Sequence, residues 1–174
     1  MNRILGWGLS RGFAGFACPA AAPSTGGAPP QLGQVERDDE EWARLLNPEQ
    51  YRVLRREGTE RAFTSALNDE KRRGTFRCAG CGQALFTSEA KFDSGTGWPS
   101  FFQPIAGALK FKRDFHLVWP RTEYHCSRCG GHHGHLFDDG PAPTGKRYCN
   151  NGVALNFEPE APSPQPLSHA EKGG

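Results

Sequence analysis

The pattern of hydrophobic and polar positions changes once along this chain. Four acids, Asp38 to Glu41, precede the apolar residues Trp42, Leu45 and Leu46. Acids favour the first turn of a helix, where the backbone N–H groups are unpaired, so a first short helix is predicted here. Asn47-Pro48-Glu49-Gln50 supplies an N-cap, a proline at the first helical position and a Gln placed to complete a capping box. A second helix is predicted from this point, with Gly58 as its stop. After Gly74 the pattern breaks into short runs such as Thr75-Phe76-Arg77 and Phe111 to Trp119, interrupted by Gly and Pro, which predict antiparallel strands and turns. The alternating Val153, Leu155 and Phe157 predict a final strand.

A chain of 174 residues has room for one domain with a sizeable core plus tails. The folded domain is assigned to 37–158. Residues 1–36 precede it: Met1 to Val35 contains no acid, with Arg3 and Arg11 among Trp7, Leu9, Phe13 and Phe16, then Ala, Pro, Ser and Gly. This composition is that of a targeting segment and linker, organellar or exported, with a plain disordered extension as the alternative, which would leave the protein cytoplasmic. Residues 159–174, rich in Pro, Ser and Ala, have little to bury and are expected to be a disordered tail. The net charge of +2 gives no field of the kind that nucleic-acid binders use. No apolar run approaches the ~18 residues of a membrane span, and no apolar stripe is left over for self-association, which favours a monomer.

The 22 glycines, 14 prolines and 36% hydrophobic content suit a loop-rich β domain that needs reinforcement. Cysteines offer it. Cys78-Ala79-Gly80-Cys81-Gly82 and Cys126-Ser127-Arg128-Cys129-Gly130 share one layout, and each follows a β-prone lead-in. In such a knuckle the two intervening residues let both thiolates face one ion, and glycines let backbone amides approach the sulfurs. Cys78, Cys81, Cys126 and Cys129 thus predict one Zn2+ with no position open for substrate, hence structural. Two short disulfides, a redox pair and an iron site are the alternatives; two matched pairs disfavour the redox one.

Cys149 stands outside this set, beside Lys146 and Arg147, whose charges favour a nucleophilic thiolate. A lone cysteine before a strand is also a common core residue. Gly131-His132-His133-Gly134-His135 follows the second knuckle directly and offers proton-transfer groups, but its glycines prevent assignment of faces. Ser94-Gly95-Thr96-Gly97-Trp98-Pro99-Ser100-Phe101-Phe102 reads equally as a pocket wall carrying an indole and as a turn around a core tryptophan.

Taken together, Pro48-Glu49-Gln50-Tyr51, both knuckles, Gly95 to Phe101, Arg121-Thr122-Glu123, Gly130 to Phe137, Asp139-Gly140-Pro141 and Arg147-Tyr148-Cys149 resemble the B-type methionine sulfoxide reductases, specific for the R sulfoxide. The likeness runs from about Trp42 to Phe157. It implies the mainly β, zinc-stabilised, Mss4-like fold of that family: two antiparallel sheets with short N-terminal helices. It also implies a site with Cys149 as nucleophile, Trp98 packing on the substrate methyl group, His132 and His135 binding and protonating the sulfoxide oxygen, and Arg147 and Asn151 around the nucleophile. His133 stands where the family has Leu or a similar residue and receives no role.

By the same resemblance the substrate is an oxidised protein or peptide containing methionine-R-sulfoxide, and Cys149 passes through a sulfenic acid. Many members have a resolving cysteine where this chain has Thr96. Recycling is therefore expected from thioredoxin or another external thiol, with Cys18 as the internal alternative. Two other classes compete: a zinc-stabilised binding module without chemistry, for which Trp98 is core, and a zinc or redox sensor with exchangeable metal. The density of matches around Cys149 favours the enzyme.

Overall fold

Both N-terminal helices form where the sequence predicts them, the second on its predicted cap. The computed structural model describes residues 33–114 and 121–161. Helix α1 (Asp39–Leu45) begins at Asp38, whose carboxylate accepts from the Glu41 amide while the Glu41 carboxylate accepts from the Asp38 amide. Helix α2 (Pro48–Arg56) begins at Asn47, reciprocally bonded to Gln50 in the same way. A cap of this kind is typically worth ~1 kcal/mol. The stop of α2 differs from expectation: Glu57, with φ 53°, takes the left-handed conformation. Gly58 is needed for a different reason. Its amide closes on the Arg52 carbonyl at 3.0 Å, and a Cβ there would lie 2.8 Å from that oxygen.

The rest is antiparallel β structure, as expected. Its strands are β1 (Gly74–Cys78), β2 (Ala84–Thr87), β3 (Lys91–Phe92), β4 (Ser100–Phe101), β5 (Leu109–Asp114), β6 (Arg121–Cys126), β7 (His132–Phe137), β8 (Arg147–Asn150) and β9 (Leu155–Pro159). A three-stranded sheet has the order β2-β1-β9, and a six-stranded sheet the order β3-β4-β8-β7-β6-β5. Of the run from Phe111 to Trp119, β5 covers the part up to Asp114; the remainder lies outside the described residues, as do Cys18, most of the N-terminal segment and most of the C-terminal tail. Contacts with the second knuckle begin before Arg37: the Gln34 side-chain amide donates to the Ser127 carbonyl, and the Val35 amide to that of Arg128.

The predicted final strand is shorter than its alternation suggests. Val153 lies in a 3-10 turn, Gly152–Ala154, and only Leu155 and Phe157 of that trio belong to β9. The buried Glu60 carboxylate accepts from the Gly152 and Val153 amides at 2.5 and 2.9 Å, competing with strand pairing. This turn carries the chain from β8 in one sheet to β9 in the other.

Aromatic residues fill the core. Phe76 from β1 and Phe86 from β2 meet Phe101 from β4, with Phe86 stacked on Phe101 at 4.2 Å. Tyr124 and Tyr148 extend the cluster on the larger sheet. Such rings bury ~150–250 Å² each and dominate core energetics. The Tyr124–Tyr148 contact also ties β6 to β8 across the intervening β7, which positions the groups below.

Candidate active site and metal centre

The two knuckles fold alike. In the first, the Cys78 amide donates to the Gln83 carbonyl and the Gly82 amide to the Cys78 carbonyl; in the second, Cys126 donates to Gly131 and Gly130 to Cys126. Gly82 and Gly130 have φ of 75° and 70°, the left-handed turn that glycine adopts without strain. The knuckles face each other, with Cys78 Sγ 3.7 Å from Cys129 Sγ and Cys81 Sγ 3.5 Å from Cys126 Sγ. Thiolates ~2.3 Å from one tetrahedral ion stand roughly 3.8 Å apart. All four cysteines are free thiols, so the disulfide alternative is not what forms. The cluster can hold a metal ion and leaves it no open position.

The register of β8 assembles the second group. Cys149 stands opposite Ser100 on β4 and opposite His135 on β7. Opposed residues of antiparallel strands have Cα atoms within ~5.5 Å, so the thiol and an imidazole become neighbours by backbone pairing alone. Gly134 makes the approach possible: a Cβ there would lie 2.0 Å from the Cys149 carbonyl oxygen.

Around this pair is a cavity of about 150 Å³ lined by Thr59, Trp98, Arg121, Gly134, His135, Phe137, Cys149, Asn150 and Asn151. Trp98 is half-buried and forms part of its wall, its indole N–H donating to the Glu60 carbonyl at 3.2 Å. Of its two readings, pocket wall rather than core is the one realised. Asn151 is buried with both ends of its amide engaged: Oδ1 accepts from the Glu60 amide at 2.9 Å and Nδ2 donates to the His133 carbonyl at 2.9 Å. It ties the loop before the cavity to β7.

Arg147 stands two residues before Cys149 on β8. It forms a two-pronged pair with Asp139, both contacts 2.8 Å, and lies over the Phe137 ring at 4.3 Å. Lys146 turns away to Asp138. Burial pushes the Cys149 thiol up from its ordinary value, while the Arg147 charge and a hydrogen bond from the Thr96 hydroxyl pull it down. Thr96 belongs to a run of hydroxyls, with Ser94 Oγ 2.8 Å from Thr96 Oγ1 and 2.7 Å from Ser100 Oγ.

The histidines separate. His135 lines the cavity; His132 is 1% exposed and lies one layer behind, its ring edge-on to that of His135 at 5.7 Å. His132 Nδ1 contacts Glu123 Oε1, and burial lowers its pKa to about 4, so the ring is neutral near pH 7. His133 is fully buried on the opposite side. Of the cavity wall, sequence reasoning gave no role to Thr59, Arg121, Gly134, Phe137 or Asn150. Phe137 follows from strand alternation two residues after His135, whereas the loop around Thr59 carries no periodic signal.

Comparison with known proteins gives a consistent picture. The SelR domain model matches residues 46–159. The chain is 55% identical over 127 residues to "Peptide methionine sulfoxide reductase MsrB" of Methanosarcina barkeri, covering 72% of this chain and 89% of that one. To the protein of the same name from Leptospira interrogans it is 52% identical, covering 73% and 98%; to that of Thiobacillus denitrificans, 53%, covering 71% and 95%.

Proposed function

Since the chain belongs to the SelR-domain family of peptide methionine sulfoxide reductases, we propose that this oxidoreductase reduces the R epimer of protein-bound methionine sulfoxide, with Cys149 as nucleophile. The observation that carries the reading is the pairing of Cys149 with His135 across β8 and β7, at a cavity walled by Trp98. A sulfoxide presents an apolar methyl group, a basic oxygen and an electrophilic sulfur. The indole accepts the first, an imidazolium the second and the thiolate the third.

The Cys149 thiolate attacks the sulfoxide sulfur while His135, supported from behind by His132, gives a proton to the oxygen, because oxide is a very poor leaving group. The net change moves oxygen to Cys149 Sγ. Cys149 is oxidised by two electrons to a sulfenic acid, the sulfoxide sulfur is reduced by two, and the thioether leaves. Arg147 and Thr96 stabilise the attacking thiolate; Asn151 holds the loop that carries Thr59 and Glu60 against β7. Sulfoxide sulfur is chiral. A cavity that fixes methyl on Trp98 and oxygen at His135 presents only one epimer to Sγ for attack.

Cys78, Cys81, Cys126 and Cys129 would hold a structural Zn2+ that joins the two knuckles. Thr96 offers no thiol, so the sulfenic acid is returned to the thiol by thioredoxin or another external thiol. The test compares both epimers of N-blocked methionine sulfoxide with dithiothreitol as reductant, for the zinc-loaded chain and for Cys149→Ser. Turnover of the R epimer alone, lost in the variant, is expected; turnover of both epimers, or activity surviving in the variant, overturns the proposal.

A further inference from the structure

Behind the cavity, Glu123 on β6 lies between two imidazoles. His125 Nε2 is 3.2 Å from Glu123 Oε1, and His132 Nδ1 contacts the same oxygen. The carboxylate side chain is 4% exposed and that of His132 1%, whereas that of His125, at 15%, reaches the surface. None of these three atoms completes a hydrogen bond among the described residues, although all are buried. The three ligand atoms lie within 4.8 Å of one another.

The orientation of His125 sharpens the problem. Its Nδ1 lies 3.2 Å from the Gly130 carbonyl, which can only accept, so Nδ1 carries the proton. His125 Nε2 is thereby left facing a buried carboxylate oxygen, so that three potential ligand atoms turn to one point. A backbone carbonyl fixing the far nitrogen is also how ligating histidines are usually held.

We propose that Glu123, His125 and His132 form a second metal site, taking a divalent transition ion of the zinc type, and that its occupancy inhibits the reductase. Two imidazoles and a carboxylate are a borderline-soft set that suits such ions over magnesium or calcium. The inhibitory half rests on the proposed reading of His135 as the acid. A divalent cation held by the His132 ring, whose centroid is 5.7 Å from that of His135, disfavours the positive charge that His135 must carry to give its proton. The ion would enter from the His125 side, without passing through the substrate cavity.

The experiment separates binding from activity. Zinc is titrated by equilibrium dialysis into the zinc-loaded full chain carrying Cys149→Ser, which removes the competing thiolate, and into the same chain with His125→Gln added. One zinc beyond the four-cysteine ion is expected in the first and none in the second; no additional zinc in the first, or an additional zinc in both, overturns the site. Single-turnover release of methionine, with no added thiol to sequester metal, is then followed in the wild-type chain and in His125→Gln. Zinc should slow the former by about a hundredfold, the scale of general acid catalysis, and leave the latter unchanged. Equal slowing in both, or none in the wild type despite binding, overturns inhibition; a chain without reductase activity would overturn the proposed function while the dialysis still reads the site.

Discussion

At the scale of single residues, the reactivity of Cys149 is set by opposed effects. Burial raises its thiol, and the Arg147 charge and Thr96 hydroxyl lower it. Replacing Arg147 with Met removes the positive charge while leaving Asp139 exposed and solvated, so no buried charge is stranded. The thiol should titrate at higher pH, leaving less thiolate near neutrality and slower alkylation there. The pH dependence of Cys149 alkylation checks this; an unmoved inflection would remove Arg147 from the account. Thr96→Cys tests the other neighbour. Because Thr96 is near enough to Cys149 to lower its thiol, a thiol there should capture the proposed sulfenic acid as an internal disulfide after one turnover, detectable by mass spectrometry of unreduced peptides. Persistence of a dimedone-reactive sulfenic acid in that variant would show that the two side chains cannot meet.

At the scale of elements, β7 explains both what the sequence reveals and what it conceals. The cap of α2 was legible because it depends on residues three apart, and the knuckles because binding one shared metal ion would impose their spacing. The faces of His132, His133 and His135 were not legible. In a regular strand, residues three apart point to opposite faces, yet Tyr124 pairs with Gly134 and His125 with His132, making His133 an extra residue in β7. This bulge turns His132 to the side of His135 and drives His133 into the interior. Only the paired strand reveals it. The cost is a fully buried imidazole whose nitrogens complete no hydrogen bond of ordinary geometry among the described residues, although the Asn150 side chain lies near it. Burial lowers the His133 pKa to about 3, well below the ordinary 6.5, so the unfolded chain binds a proton that the folded one refuses. Folding stability is whole above pH 6.5 and falls as the pH drops from there towards 3. His133→Leu should therefore stabilise by about 1–3 kcal/mol, and by more at pH 5 than at pH 8. Urea unfolding of both forms at the two pH values measures this; equal stability at both would mean the ring is satisfied in place.

At the scale of the whole molecule, the four-cysteine cluster links what the backbone keeps apart. Cys78 ends β1 in the smaller sheet and Cys126 ends β6 in the larger one, and the facing sulfurs are 51 and 45 residues apart in sequence. The helices depend on the same junction. Leu54 of α2 packs against both knuckles, 3.6 Å from where a Cβ at Gly80 would lie and 3.0 Å from one at Gly131, and Arg55 donates to the Cys129 carbonyl at 3.0 Å while lying over the Trp42 ring. Without an ion, four sulfurs in a largely buried cluster must take up protons or repel, and the knuckles lose their reason to face each other. Structural zinc is worth ~10–16 kcal/mol of apparent binding free energy, against the ~5–15 kcal/mol net stability of a domain. Chelation should then abolish the cooperative urea transition and the near-UV circular dichroism of the aromatic core together, and zinc should restore both. Because β7 leaves the second knuckle only three residues after Cys129, the alignment of His135 with Cys149 should be lost in the same step. A chelated chain that kept its urea midpoint would mean that the aromatic core alone holds the two sheets together.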